Sequence, residues 1–134
     1  VDRWVIGSGA IGGSMSKGIG INKKEITHGK YGCKCAYCGT HLSINEMHID
    51  HVVPKKLGGK NNIKNLNPSC QSCNSTKGAK SLEDYRIHLM IKKSKFSGVI
   101  NVSQWRDLCR LGVSIQLPSH SFYFEEINYE QNSY

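Results

Sequence analysis

Two C-x-x-C pairs, Cys35-Ala-Tyr-Cys38 and Cys70-Gln-Ser-Cys73, constrain this chain more than any other feature. Two short knuckles of this spacing, 31 residues apart, can bring four thiolates to one tetrahedral zinc ion at about 2.3 Å each, a closed structural site with no place for substrate. Two disulfides or a C-x-x-C redox centre are the rival readings. Cys33 is an alternative ligand to Cys35, and Cys109, in an amphipathic segment, reads as a small core residue. An ion would matter for stability. Only 38% of the 134 residues are hydrophobic, so the core is modest, and ligands scattered in the unfolded chain are organised only when the metal binds.

No run approaches the roughly 18 apolar residues of a membrane span, and the start VDRWVIGSGAIGG lacks the regions of a secretory signal. The expectation is a soluble, cytoplasmic chain with no membrane partner, where thiols stay reduced and free to bind metal. Residues 1–32 read as a glycine-rich, poorly anchored arm with a strand-like RWVI. Its G-x-G-x-x-G match, Gly7 to Gly12, reads as a flexible loop, because the following GSMSKGIG is too glycine-rich for a helix and no second strand ends in an acid.

Residues 33–95 read as a core with α+β character. Alternation from Met47 predicts a strand, PKKLGGKNN a loop, IKNLNPSC a second short strand and QSCNSTKGAK a brief helix closing near Gly78. Ser81 and Asp84 stand at capping-box spacing before LEDYRIHLMIKK, a helix with Leu82, Tyr85 and Leu89 on one face. Residues 96–134 then predict a short helix from Ser103 to about Leu111 and a β-hairpin of VSIQL with SFYFEEI across PSHS.

Charge is uneven along the chain. From Lys55 to Lys95, ten lysines and arginines stand against Glu83 and Asp84, which accounts for the whole net charge of +8. A positive field confined to one segment fits a polyanionic partner, since each phosphate contact releases counterions; a solvated lysine-rich face is the plain alternative.

The stretch CAYCG … IDHVVPKKLGGKNNIKNLNPSCQSCNSTKG resembles the HNH endonuclease family, over about residues 33–80. The resemblance implies a ββα-metal core, here braced by the four cysteines, and DNA as partner. By position His51 resembles the general base, Asp50 the first metal ligand, Asn65 the asparagine that braces the loop, and Asn74 the second metal ligand. With Asn74 in place of the third signature histidine, this is the H-N-N form. Asp50 and Asn74 together make an oxygen-ligand site suited to Mg²⁺ or Mn²⁺. The chemistry is coherent without the family: phosphodiester hydrolysis needs a base for the attacking water and positive charge against the leaving oxygen. Histidine is the side chain whose ordinary pKa, about 6.5, lets it accept a proton near neutrality. The family implies 5′-phosphate and 3′-hydroxyl products.

In an ideal strand Asp50 and His51 would point to opposite faces, so the strand must twist or end there, which Pro54 and Gly58-Gly59 allow. His48 reads as a surface histidine, His41 as surplus to a filled four-cysteine site, and Trp4 and Trp105 as core or anchoring residues. Asn62 and Asn67 are the alternatives to Asn65. Lys55, Lys56, Lys60, Lys77, Lys80 and Arg86 are expected to face phosphates. The competing functions are a zinc-stabilised, non-catalytic nucleic-acid-binding module and a subunit of a larger assembly; a start at Val1 allows a larger parent polypeptide, and a two-fold symmetric target would call for a homodimer.

Overall fold

The computed structural model describes residues 19–132, and the Gly7 to Gly12 stretch, RWVI and Trp4 lie outside them. The order is helix α1 (Ile21–Gly29), strand β1 (His48–His51), two 3-10 turns (Lys55–Leu57 and Ile63–Asn65), strand β2 (Leu66–Ser69), then helices α2 (Gln71–Lys77), α3 (Leu82–Lys92), α4 (Val102–Arg110) and α5 (Tyr123–Asn132). β1 and β2 pair antiparallel with Asp50 opposite Asn67 and His51 opposite Leu66. The architecture is α+β, with a ββα unit, β1–β2–α2, at its centre.

Local chemistry sets the helix limits. Cys70 is the N-cap of α2, its sulfur accepting from the Cys73 N–H at 3.4 Å, and Gly78 ends the helix at φ +52°, a backbone state that favours glycine. Ser81 Oγ accepts the Asp84 N–H at 3.1 Å, and Glu83 and Asp84 in the first turn of α3 complement its dipole. Asn101 and Gln104 form a reciprocal capping box on α4.

The long connection between β1 and β2 is closed by Asn65. Its Oδ1 accepts from the Val53 N–H at 2.8 Å, and its Nδ2 donates to the carbonyls of Val53 and Lys60 at 3.1 and 2.9 Å. Gly59 makes this closure feasible: a Cβ there would lie 1.7 Å from Val53 O and 2.9 Å from Asn65 Nδ2, so no side chain fits.

The core gathers Cys35, Ala36, Tyr37, Leu42, Met47, Tyr85 and Phe122 around the first cysteine knuckle. From α3, Leu82, Tyr85 and Leu89 pack on this cluster, as their helical spacing predicts. Ile87 and Ile91 of the same helix are also buried, so α3 is covered on more than one side.

Three expectations are corrected. The hairpin at the C-terminus is absent: residues 113–122 run without strand pairing and SFYFEEI leads into helix α5. Phe122 and Phe124 pack into one aromatic core, as strand residues at spacing two would, but the N–H groups of Tyr123 and Phe124 go to Tyr37 O and Ala36 O, at 3.2 and 2.8 Å, rather than to a partner strand. Glu125 and Glu126 then occupy the first helical turn, where the dipole favours acids. The second correction concerns the arm. Residues 21–29 form helix α1, tied down by Lys23 Nζ on Asn61 O (2.7 Å) and Lys30 Nζ on Ile63 O and Leu66 O (3.0 and 2.7 Å). Finally, Cys109 is exposed, because α4 buries none of its residues.

Candidate active site and metal centre

The four sulfurs come together first. Sγ atoms of Cys35, Cys38, Cys70 and Cys73 lie within 4.8 Å of one another, with Cys38 and Cys70 3.8 Å apart. The edge of a tetrahedron of four thiolates at zinc bond lengths is about 3.8 Å, whereas a disulfide requires about 2.05 Å, so this donor set fits a tetrahedral ion and all six cysteines are free. Cys33 stays outside the cluster, in the left-handed region at φ +64°, and His41 stands exposed beyond it. The sulfurs share their protons unevenly: burial pushes the Cys38 thiol up, and the hydrogen bond to Cys35 does the same for Cys73. A hydrogen bond from Cys73 draws the Cys35 thiol down to about 4 against the opposing effect of burial, helped by the backbone amides of Cys38, Cys70 and Tyr37. One knuckle lies against the sheet, where the Ala36 N–H donates to Pro68 O at 2.8 Å; the other forms the start of α2. The sulfur cluster therefore clamps the junction of β2 and α2 within the ββα unit.

A cleft of about 300 Å³ opens beside this clamp, and Asp50, His51 and Asn74 all line it, with Lys55, Lys56 and Pro54 on its other wall. Asp50 and His51 reach the same space because β1 ends at His51 and the chain bends at Val52 and Val53, which releases the strict alternation of a strand. Asn74 arrives from α2, one residue after the last cysteine. The His51 Nε2 lies 2.7 Å from Asn61 Oδ1; with the proton on Nε2 as donor to that oxygen, Nδ1 carries the free lone pair.

Asp50 is only 4% exposed. Burial pushes its carboxyl above the ordinary value, opposed by the Tyr37 hydroxyl and by Lys77. Both partners act on Oδ2: Tyr37 donates a short hydrogen bond, and Lys77 Nζ stands 3.2 Å away. Oδ1 accepts no hydrogen bond from the described residues and is not among the buried atoms lacking partners, so it is the oxygen left for the cleft. A buried carboxylate with one oxygen free, beside the amide of Asn74, offers the hard oxygen donors that a small divalent cation requires.

Two residues expected at phosphates are placed elsewhere. Lys77 is fully buried, donating to His51 O at 2.9 Å and paired with Asp50, so it cannot reach a surface ligand. Arg86 is spent within the fold: its guanidinium clasps Glu125 at 2.6 and 2.8 Å, Glu83 at 3.0 Å and His120 O at 3.0 Å, over the ring of Phe122. Lys80 is half-buried, its Nζ on Thr76 O at 2.8 Å. Lys55, Lys56 and Lys60 are exposed, as is His48. Sequence reasoning missed Asn61, Tyr37 and the true position of Lys77. Only contacts across the fold reveal these three, since none shares a spacing pattern with the residues it touches.

A two-stranded sheet and one helix, clamped by four cysteines and holding an Asp-His pair opposite an Asn, define a ββα-metal class of domain. Residues 35–80, about a third of the chain, match the family model for HNH endonuclease, and this segment is an HNH domain. Over 47 residues the chain is 40% identical to a CRISPR-associated endonuclease Cas9 from Corynebacterium diphtheriae and 43% identical to one from Actinomyces naeslundii. Each match covers 34% of this chain but only 4% of the relative. The crystal structure of the type II-C Cas9 enzyme from Actinomyces naeslundii superposes with a TM-score of 0.53 at 22% identity, over 90% of this chain and 13% of that one, a likeness of fold. No helix among the described residues is long and apolar enough to cross a membrane.

Proposed function

We propose that this chain is a metal-dependent DNA endonuclease module in which His51 is the general base, Asp50 and Asn74 hold Mg²⁺ or Mn²⁺, and zinc fills the four-cysteine site. The convergence of Asp50, His51 and Asn74 on one cleft flanked by exposed lysines carries this reading. A divalent cation bound there would supply positive charge against the oxygen that leaves. His51 takes the proton of the attacking water on Nδ1, while Asn61 holds the ring by its other nitrogen. Asn65 keeps the connecting loop, and with it Lys55 and Lys56, at the cleft wall. Zinc takes no part in the chemistry, because four thiolates leave it no open position. The names of the relatives support a nucleic-acid substrate, and their much greater length supports a role as one module of a longer nuclease.

Incubation of the zinc-loaded chain with supercoiled plasmid is the direct test. With Mg²⁺ or Mn²⁺ it is expected to yield nicked or linear DNA bearing 5′-phosphate ends; bound but uncut DNA would favour the non-catalytic module instead. The substrate-facing charge makes a second prediction. Replacing Lys55, Lys56 and Lys60 together by alanine is expected to weaken DNA binding and to flatten the slope of log K against log salt by about 1 per lysine removed. Fluorescence anisotropy across a salt series reads this slope, and an unchanged value would move the DNA track off this face.

A further inference from the structure

Tyr37 physically joins the four-cysteine cluster to the carboxylate of Asp50. It stands between Cys35 and Cys38, and its backbone N–H donates to Cys35 Sγ at 3.4 Å. At the other end of the same residue, the hydroxyl donates to Asp50 Oδ2. The ring between them is buried and held edge-on by Tyr85, Phe122 and Phe124, at centroid separations of 5.5, 5.3 and 6.1 Å. A ring enclosed on three sides has almost no rotamer freedom, so the hydroxyl is a fixed point in the fold. Asn67 Nδ2 lies 3.5 Å from the same hydroxyl, which helps leave its proton for Asp50.

Lys77 approaches the same carboxylate oxygen at 3.2 Å, and its own Nζ is anchored on His51 O at 2.9 Å. Two donors on Oδ2 select one orientation of the carboxylate. They leave Oδ1, which accepts no hydrogen bond from the described residues, as the free oxygen of a residue that lines the cleft. Partners behind a ligand in this way fix its orientation and sharpen its affinity for an ion.

We propose that Tyr37 is a positioning residue for the reaction: it transmits the rigidity of the four-cysteine knuckle to Asp50, so that Oδ1 is aimed at the cation in the cleft. The proposal rests on the metal-dependent nuclease reading above. Tyr37 touches neither the cleft nor the reacting atoms, and moves no proton in the reaction.

Calorimetric titration of the zinc-loaded chain with Mn²⁺ tests this in the parent protein, Asp50→Asn and Tyr37→Phe. The parent protein is expected to bind one Mn²⁺ beyond its zinc, and Asp50→Asn to lose that ion. Tyr37→Phe, which keeps the aromatic packing, is expected to bind Mn²⁺ about 10- to 100-fold more weakly with its zinc content unchanged. Plasmid cleavage by Tyr37→Phe should fall at limiting Mn²⁺ and recover as Mn²⁺ is raised. Parental Mn²⁺ affinity in Tyr37→Phe would overturn the proposal, as would loss of zinc or of folding, which would make the residue a structural one. If the parent protein binds no second ion, or Asp50→Asn still binds it, the nuclease reading itself falls, and the positioning role with it.

Discussion

Replacing His51 by alanine is expected to give a folded protein that still binds DNA but cleaves it about 10²- to 10⁴-fold more slowly, the usual contribution of a positioned general base. The fold should survive because the imidazole is only half-buried and its hydrogen-bond partner among the described residues is Asn61. A neutral hydrogen bond of this kind contributes about 1 kcal/mol, too little to unfold the domain. The bonds that hold β1 to β2 and α2 use the His51 backbone, including the carbonyl that accepts from Lys77, and alanine keeps that backbone. Cleavage is read on plasmid DNA with Mg²⁺ or Mn²⁺, binding by anisotropy, and folding by thermal melting. Wild-type cleavage by this variant would remove the catalytic assignment while leaving the domain's fold untouched.

Loss of the zinc site is expected to do the opposite and abolish the folded core. Structural zinc contributes an apparent binding free energy of about 10–16 kcal/mol, as large as the whole stability of a typical domain, about 5–15 kcal/mol. Here the ion would hold together Cys35 and Cys38, in the knuckle beneath the aromatic core, and Cys70 and Cys73, at the head of α2. Cys70→Ser removes a zinc ligand while keeping a hydroxyl that can cap α2, so its effect reports the ion rather than the cap. Its melting transition should vanish or drop far below that of the parent chain, together with plasmid cleavage. Elemental analysis should find about one zinc per parent chain. A metal-free preparation with an undiminished transition would sink the zinc assignment.

The parts legible in the sequence were those governed by short-range spacing. The two C-x-x-C pairs announce a four-sulfur cluster because a tetrahedral ion demands few geometries and each pair satisfies half of one. Ser81 three residues before Asp84 marks the start of α3, because a cap acts across a single turn. The family resemblance, rather than spacing, put Asp50, His51 and Asn74 at one site, and these three residues line one cleft. Spacing misled at Phe122 and Phe124. Apolar residues at spacing two read as a strand, but the helix already starts at Tyr123, and the N–H groups a strand would pair go to the carbonyls of Ala36 and Tyr37.

Charge was the least transferable clue. Lys77 and Arg86 belong to the basic segment, but a lysine's or arginine's destination depends on which acid the folded chain sets beside it. Asp50 takes the first and Glu125 the second, leaving Lys55, Lys56 and Lys60 exposed on the basic segment's outer surface. The amino-acid sequence alone determined which four sulfurs cluster and where α2 and α3 start, since these follow from spacing along a chain of fixed geometry, whereas the residues proposed for the site came from the family resemblance. Which oxygen of Asp50 is left free, which nitrogen of His51 is held and which cations are spent inside were decided only by the tertiary structure, because each depends on atoms brought together from positions 10 to 39 residues apart.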